Sequence, residues 1–455
     1  MIRDYQIKGR DFILNNYSRC ILGDEAGLGK TLTALLVVKE LKEYPVLCIS
    51  TKPGLYVWKN EIKKWLNEES YVYSGPLNKR KKAFTQFLSN PKFLITNYAF
   101  VKELYKLIGN TYFKVVIPDE FHLPGILNHK TNIYRDFKLL THWTPNLIMP
   151  TGTPMRSTPA DLYAPLSLID PKMFTSYWSF VRQYCITIKT EYGYTIEPFP
   201  KDIKAFREML HSKYLIRRLK DQVLKELPEK TRQAITVEME LEQEKVYNQL
   251  VEDMYFDYGN KFLATPNALS LRTRIRQLLI TPQILGLPII GGGLKMLHEI
   301  AQEEISLGRP IAVFTPFAKA IKYIKEILIG LYKNNIYIIQ GGMPAQKIED
   351  TVRAFQENES NKKAVIATIK SGISQTITDA KTAIFLGYEW GPHDNEQAED
   401  RLHRIGQHDN VRCLYLLHKG TPEEDMINRL NSKKKATNFV LSPQEFYERM
   451  IGSVN

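Results

Sequence analysis

The stretch GDEAGLGKT at residues 23–31 decides how this chain is read. Its ending, Gly27-Leu28-Gly29-Lys30-Thr31, has the form of a phosphate-binding loop. The strict pattern places a glycine five residues before Gly29, however, and Asp24 stands there. The apolar run RCIL precedes the loop and an amphipathic pattern over 32–44 follows it, so the loop joins a strand to a helix. In that setting Gly27 and Gly29 let the backbone turn its N–H groups toward phosphate oxygens at a helix N-terminus. Lys30 then reaches the terminal phosphates, and the Thr31 hydroxyl binds Mg²⁺. The plainer alternative is a glycine turn before a helix capped by a threonine.

Two further motifs weigh on that choice. VVIPDEFH at 115–122 is an apolar strand ending in paired acids. This puts Asp119 and Glu120 at the carboxyl edge of a parallel sheet, where ligands bind. Downstream of a phosphate loop, Asp119 is placed to hold Mg²⁺ and Glu120 to orient and deprotonate an attacking water. Alone, such a pair is a solvated turn. In QAEDRLHRIGQ at 397–407, Gln397, Arg401 and Arg404 recur at i, i+4 and i+7, which predicts one face of a helix over 395–404. Two arginines on one face suit a transferring phosphoryl group; a surface helix with internal salt bridges is the alternative.

With 455 residues, 44% hydrophobic and 24% charged, the chain has the composition of a folded protein of at least two domains. Its net charge of +13 favours a polyanionic partner such as nucleic acid. Cys20, Cys48, Cys185 and Cys413 are far apart and form no zinc pattern. No signal peptide and no membrane-spanning run is visible, so a reducing cytoplasm is expected.

Short apolar runs alternate with helical patterns in two stretches. RCILG, PVLCIS, KFLITN, FKVVIPDE and NLIMPTG form the first; PIAVFTPF, IYIIQGG, KAVIAT, TAIFLGY and RCLYLL form the second. Continuous runs of this kind are strands buried on both faces, which predicts two α/β layers with mostly parallel sheets. Residues 155–290 read as mostly helical, with a boundary or hinge in LKELPEKTRQ at 224–233 and a hairpin in CITIKTEYGYTIEPF at 185–199.

The ordered set RDYQIKGRDFIL, GDEAGLGKT, STKPGLYVWKNEIKKW, ITNYAF, PDEFH, PTGTPMRS, IRRLKDQVLKELPEK and QAEDRLHRIGQ resembles a Swi/Snf-type double-stranded DNA translocase of helicase superfamily 2. The likeness runs from about residue 3 to 430 and is nearest the annealing-helicase subgroup, through the 185–199 segment and its leucine-rich continuation. A compact motor of this kind is also similar to bacteriophage branch-migration helicases, which would place it in a host cytoplasm. The resemblance implies two RecA-like lobes, at 1–227 (with a helical and hairpin insertion at 155–227) and at 228–455 (with a helical insertion at about 235–290). It accounts for Asp24, because members carry an acidic pair before the last glycines.

The resemblance further implies an ATP and Mg²⁺ site of Arg3, Tyr5, Gln6, Asp24, Glu25, Ala26, Gly27, Leu28, Gly29, Lys30 and Thr31, with Gln6 reading adenine and Thr31 and Asp119 holding the metal. It assigns DNA contacts to Thr51, Lys52, Thr96, Asn97, Tyr98, Thr151, Gly152 and Thr153, then to Phe314, Thr315, Gln340, Gly341, Thr368, Lys370, Ser371, Gly372 and Trp390. Two departures stand out. Phe121 replaces a small residue beside His122, and ATIKSGISQTITDA at 367–380 keeps one glycine where the family has two or three.

The expected function is a monomeric, ATP-dependent motor that moves on duplex DNA and remodels forks and Holliday junctions by branch migration. Lys189, Tyr192 and Tyr194 of the hairpin are candidates for a strand-parting wedge; a hairpin packed on the first lobe is the alternative. A motor that strips a protein such as RNA polymerase from DNA, an RNA helicase, and a nucleotide-gated DNA clamp without turnover are the rival readings.

Overall fold

The computed structural model describes residues 2–52, 54–108, 113–122, 125–191, 193–258, 261–265, 267–371, 376–389, 392–424 and 439–441. The chain divides into two compact units, Met1–Lys225 with Ser432–Asn455, and Glu226–Asn431.

In the first unit the five expected runs form strands Arg19–Leu22, Val46–Ser50, Phe93–Asn97, Val115–Pro118 and Asn146–Pro150. Among the described residues the sheet order is Ser70–Tyr73, Phe93–Asn97, Val46–Ser50, Val115–Pro118, Asn146–Pro150, Arg19–Leu22, Leu215–Ile216, and every pairing is parallel. Successive residues bury into opposite layers. Ile21 and Leu47 face a core with Phe87 and Phe137, while Cys20, Leu22 and Cys48 face one with Leu35 and Trp58. Both faces are therefore dry, and the strands read as unbroken apolar runs. Each such side chain contributes roughly 1.5–3 kcal/mol by leaving water. Phe121, the family departure, is completely buried in the first of these cores.

The second unit holds a sheet ordered Lys230–Val237, Val411–His418, Thr382–Leu386, Ile311–Thr315, Ala364–Thr368, Ile336–Ile339, again parallel throughout.

Four expectations need correction. The stretch read as a boundary or hinge at 224–233 does contain the boundary, after Lys225, but it also begins an edge strand, Lys230–Val237, which its polar first half, Lys230-Thr231-Arg232-Gln233, hid. The segment at 235–290 contains helices Leu241–Asp253 and Ala268–Ile280 but also a hairpin, Tyr255–Tyr258 with Lys261–Ala264. The insertion at 155–227 also contains a strand, Leu215–Ile216, that pairs with Ile21 and Leu22 just ahead of the phosphate loop. The second lobe does not run to 455, because Val440 and Leu441 are buried in the first unit's core and His211 meets the Leu441 carbonyl at 2.9 Å.

All four cysteines are free and buried. Among the described residues no helix is long and apolar enough to cross a membrane, and no cluster of His, Cys, Asp and Glu could hold a metal by itself.

Candidate active site

Four strands of the first sheet end at one carboxyl edge, and the loops that leave them build the site. Gly27 (φ +88°) and Gly29 (φ +74°) occupy the left-handed region that side-chain-bearing residues avoid, and the helix Lys30–Leu41 starts immediately after. Lys30 is buried; its Nζ lies 3.1 Å from the Asp24 carbonyl and 3.4 Å from that of Glu25. Thr31 sits half-buried in the first helical turn. Tyr5 and Gln6 brace the loop from the helix Asp4–Asn15, both donating to the Leu28 carbonyl at 3.0 and 3.3 Å. Arg3 precedes that helix, and its backbone N–H is held by the Gln6 side chain at 3.0 Å. The positive φ favours glycine at position 29, and a Cβ there would lie 2.5 Å from Gln6 Nε2 and displace that side chain.

The Asp24 carboxylate, assigned to the nucleotide by the resemblance, is committed to Arg218 instead. It is fully buried and accepts from the Arg218 backbone at 3.1 Å and from Arg218 Nε at 2.8 Å, with an ion pair to Arg218 Nη2. Glu25 likewise accepts from the Lys220 N–H at 2.8 Å. Arg217, also buried, donates to the Gly23 carbonyl at 2.7 Å and reaches that of Gly152 at 3.4 Å. The segment 217–220 therefore staples the loop to the sheet. The aspartate is an anchor at the position where the strict pattern has glycine.

Opposite the loop, Asp119 Oδ2 accepts from Ser50 at 3.1 Å and from Trp58 Nε1 at 2.9 Å, and Tyr98 donates to the Asp119 carbonyl at 2.8 Å. Glu120 has φ +48°, a strained conformation that costs about 1–3 kcal/mol in a residue with a side chain. Its Oε2 accepts from Thr151 Oγ1 at 3.2 Å and the Gly152 N–H at 3.4 Å. Thr151 Oγ1 in turn receives the Thr153 N–H at 3.0 Å and lies 2.6 Å from Nδ1 of buried His122. With its own proton given to Glu120, Thr151 can only accept from His122, which assigns the Nδ1–H tautomer. Burial pushes the Asp119 carboxyl up, against Trp58 and the Lys30 charge. Burial likewise pushes the Glu120 carboxyl up; Lys30 opposes this and Asp119 adds to it. A Cβ on Gly152 would sit 3.6 Å from Ala26 N and 3.7 Å from Lys30 Nζ, so glycine keeps that space open.

The expected DNA contacts divide by burial. Lys52 is exposed beside half-buried Thr51, whose buried hydroxyl has no partner. Thr96, Asn97 and Tyr98 are buried, with Thr96 bonded to the Tyr73 carbonyl, Asn97 capping Ala99, and Tyr98 holding Asp119. Phe314 is wholly buried and stacked on Phe385, and Thr315 is buried at the end of the same strand. A direct DNA contact for these five groups is therefore corrected to an internal one. Gln340, exposed Gly341, Thr368, Lys370 and Ser371 lie at or just beyond the ends of neighbouring strands, and Ser371 ties Thr368 (2.5 Å) to the Ile339 carbonyl (3.1 Å). Lys370 is exposed and lies 3.2 Å from Glu389. Gly372 and Trp390 lie outside the described residues.

The arginine motif also differs from expectation. Its helix spans Pro392–Glu399 and stops short of Arg401 and Arg404, which lie in the turns that follow. Glu399 is drawn into a buried ion cluster, and the backbone turns there. Arg401 is fully buried under the Phe314 ring, with Nη2 bonded to the Ile369 carbonyl at 2.6 Å. Burial, then the Arg404 charge, lowers its pKa to about 9, so it remains a cation at neutral pH. Arg404 donates to the Asp400 carbonyl at 3.0 Å and to Thr376 Oγ1 at 2.8 Å.

The hairpin forms as read, from Cys185–Thr190 and Gly193–Pro200, with Lys189 opposite Tyr194. Residues 186–190 and 193–195 are exposed, Tyr194 to 65%, so its outer half is not packed on the first unit. Tyr192 lies outside the described residues.

Two parallel sheets, the first carrying a phosphate loop and an acidic pair at its carboxyl edge, define the class: an α/β protein of phosphate-loop type. The chain belongs to the SNF2-related family, whose domain matches residues 5–287, and a helicase conserved C-terminal domain matches residues 293–406. It is similar to the "DNA annealing helicase and endonuclease ZRANB3" of Homo sapiens, at 28% identity over 448 residues, 96% of this chain and 40% of that protein. It is also similar to the "SWI/SNF-related matrix-associated actin-dependent regulator of chromatin subfamily A-like protein 1" of Drosophila melanogaster, at 27% identity over 432 residues, 95% of this chain and 55% of that protein. This chain thus spans about half the length of these relatives, or less. A solved SWI2/SNF2 ATPase core of Sulfolobus solfataricus in complex with dsDNA aligns over 98% of this chain and 97% of its own, at 23% identity and a TM-score of 0.46.

Ser50, Trp58, Arg217, Arg218 and Lys220 were not singled out from the sequence. The signal was present for two of them: consecutive arginines in LIRRLKD are costly to bury without a carboxylate, and Asp24 departs from the strict loop pattern by supplying one.

Proposed function

We propose that this chain is an ATP-driven motor that moves on duplex DNA and remodels branched DNA such as forks and four-way junctions. The observation that carries the reading is the buried Lys30 behind a glycine loop, on the same sheet edge as two desolvated carboxylates. Positive-φ glycines, a buried cation and the space kept by Gly152 fit a nucleoside triphosphate and a divalent cation.

On this reading the N–H groups of residues 27–31 and Lys30 hold the phosphates, and Thr31 and Asp119 hold Mg²⁺. When bound, that ion neutralises charge on the phosphate oxygens. Glu120 accepts a proton from water at its carboxylate, and its raised pKa makes it a stronger base. Thr151 and His122 aim that carboxylate, and Ser50 and Trp58 aim that of Asp119. The roles of Gln397, Arg401 and Arg404 toward the same phosphates are carried over from the family resemblance.

Duplex and branched DNA as substrates are supported by family membership, by the name of the human relative and by the net charge of +13. The exposed Lys189–Tyr194 pair supports a wedge that stacks against bases at a junction. ATPase and strand exchange measured on forks, four-way junctions, plain duplex and single strands test the reading. Branched substrates are expected to be processed fastest; equal activity on all four would remove branch remodelling and leave the motor.

A further inference from the structure

Lys230 and Arg232 stand two residues apart on the strand Lys230–Val237 and so share one face of it. Arg232 meets Glu399 through two bonds of 2.7 Å, Nε to Oε1 and Nη2 to Oε2, and reaches Glu396 at 3.2 Å. Lys230 Nζ lies 2.9 Å from Glu399 Oε2 and 3.0 Å from Asp400 Oδ1. Tyr415 donates to Glu399 Oε1 at 2.8 Å. Glu399 and Asp400 are buried, so the cluster sits away from solvent.

Interleaved with these acids in the chain are the groups expected to act on phosphate. Gln397 is buried with neither amide atom hydrogen-bonded, and Arg401 is buried with its Nε unpartnered. The helix Pro392–Glu399 that carries Gln397 is only eight residues long. Helices this short do not hold themselves in water, and a slip of one residue would turn each side chain by about 100°. Replacing a buried ion cluster by apolar groups is often neutral or stabilising, so its value lies more in fixed direction than in stability. Arg232 grips the last turn with a planar fork, the geometry that resists rotation best. Arg404 is set through the same cluster, since the Asp400 that binds Lys230 also receives Arg404 Nε on its carbonyl.

We infer that Lys230 and Arg232 are positioning residues: they fix the rotation and the end of the helix Pro392–Glu399, and with it the directions of Gln397, Arg401 and Arg404. The claim about turnover rests on the reading that these three groups serve the nucleotide; the claim about geometry does not. The strand that holds the arginine segment begins four residues after the chain enters the second unit at Glu226. The approach to it is tied to the same place, because the Pro228 carbonyl lies 2.7 Å from His403 Nε2.

The test uses the full chain in two forms. Arg232→Met alone leaves Glu399 short of a partner and is expected to lower the unfolding midpoint. The double variant Arg232→Met/Glu399→Leu removes the stranded carboxylate while Lys230 keeps Asp400, and it is expected to regain most of that midpoint. In the regained fold, amide exchange over 392–404 should be about tenfold faster than in the wild type while the strands keep their protection. ATP turnover should fall about tenfold or more at unchanged KM, as misplaced catalytic groups do. Wild-type exchange over 392–404 in a stably folded double variant would overturn the geometric claim. Faster exchange with wild-type turnover would overturn the claim about catalysis. A wild-type chain without ATPase would defeat the proposed function, and the exchange measurement would still decide the geometry.

Discussion

Asp24 shows how a single residue can look like a fault and be a fixture. The strict phosphate-loop pattern asks for glycine at its position, yet its buried carboxylate holds the side chain of Arg218, almost two hundred residues further along the chain. Restoring the pattern with Asp24→Gly should therefore cost stability, roughly 3–5 kcal/mol for stranding a buried charge, without raising turnover. Chemical denaturation with a parallel phosphate-release assay checks this, and a stable, faster variant would refute the anchoring role. Asp119 and Glu120 present the opposite balance. Burial raises both carboxyls, so in the folded state each gives up stability as pH rises through its raised pKa and regains it below the ordinary carboxylate range. Glu120→Gln is expected to raise the thermal midpoint at neutral pH while abolishing turnover. The acid limb of the wild-type rate profile should lie above the usual carboxylate range. A midpoint lowered by that substitution would show that the charge is stabilised.

Elements were legible wherever both faces are dry. The five apolar runs of each half became neighbouring parallel strands because burial on two sides leaves an unbroken apolar signal. Lys230–Val237 was missed for the converse reason. Its inward charges are balanced by Glu396, Glu399 and Asp400, about 165 residues further along the chain, a separation that no local window sees. The same cluster ends the helix at Glu399, and so the arginines expected on one helical face lie in turns. The hairpin was legible from its β-branched residues around Gly193, and its exposure bears on function. Replacing residues 188–195 by a two-glycine turn should leave ATPase within about twofold, because surface segments contribute little to stability. Junction processing should fall about tenfold or more in strand-exchange assays, on the scale of one or two lost stacking contacts. Equal loss of both activities would contradict the wedge.

At the scale of the whole molecule, the two-unit plan was readable because each half repeats the same alternation of strand and helix, whereas the return of Val440 and Leu441 to the first unit was not. A three-residue apolar patch carries no periodicity, and only the packed core shows where it belongs. The candidate site was readable in its motifs and not in its supports, because Ser50, Trp58 and Arg217 act through contacts distant in sequence. A motor that grips the phosphate backbone through a +13 chain should bind DNA without sequence preference. Its affinity should fall about tenfold or more between 50 and 200 mM salt, as counterion release dictates. Titrations of unrelated duplexes at several salt concentrations check this, and salt-independent binding would contradict it. The most direct test of the central claim is steady-state phosphate release from ATP, with and without duplex DNA, by the wild type and by Lys30→Ala. Turnover should rise on adding duplex and vanish in the variant; turnover indifferent to DNA, or retained by Lys30→Ala, would contradict the motor reading.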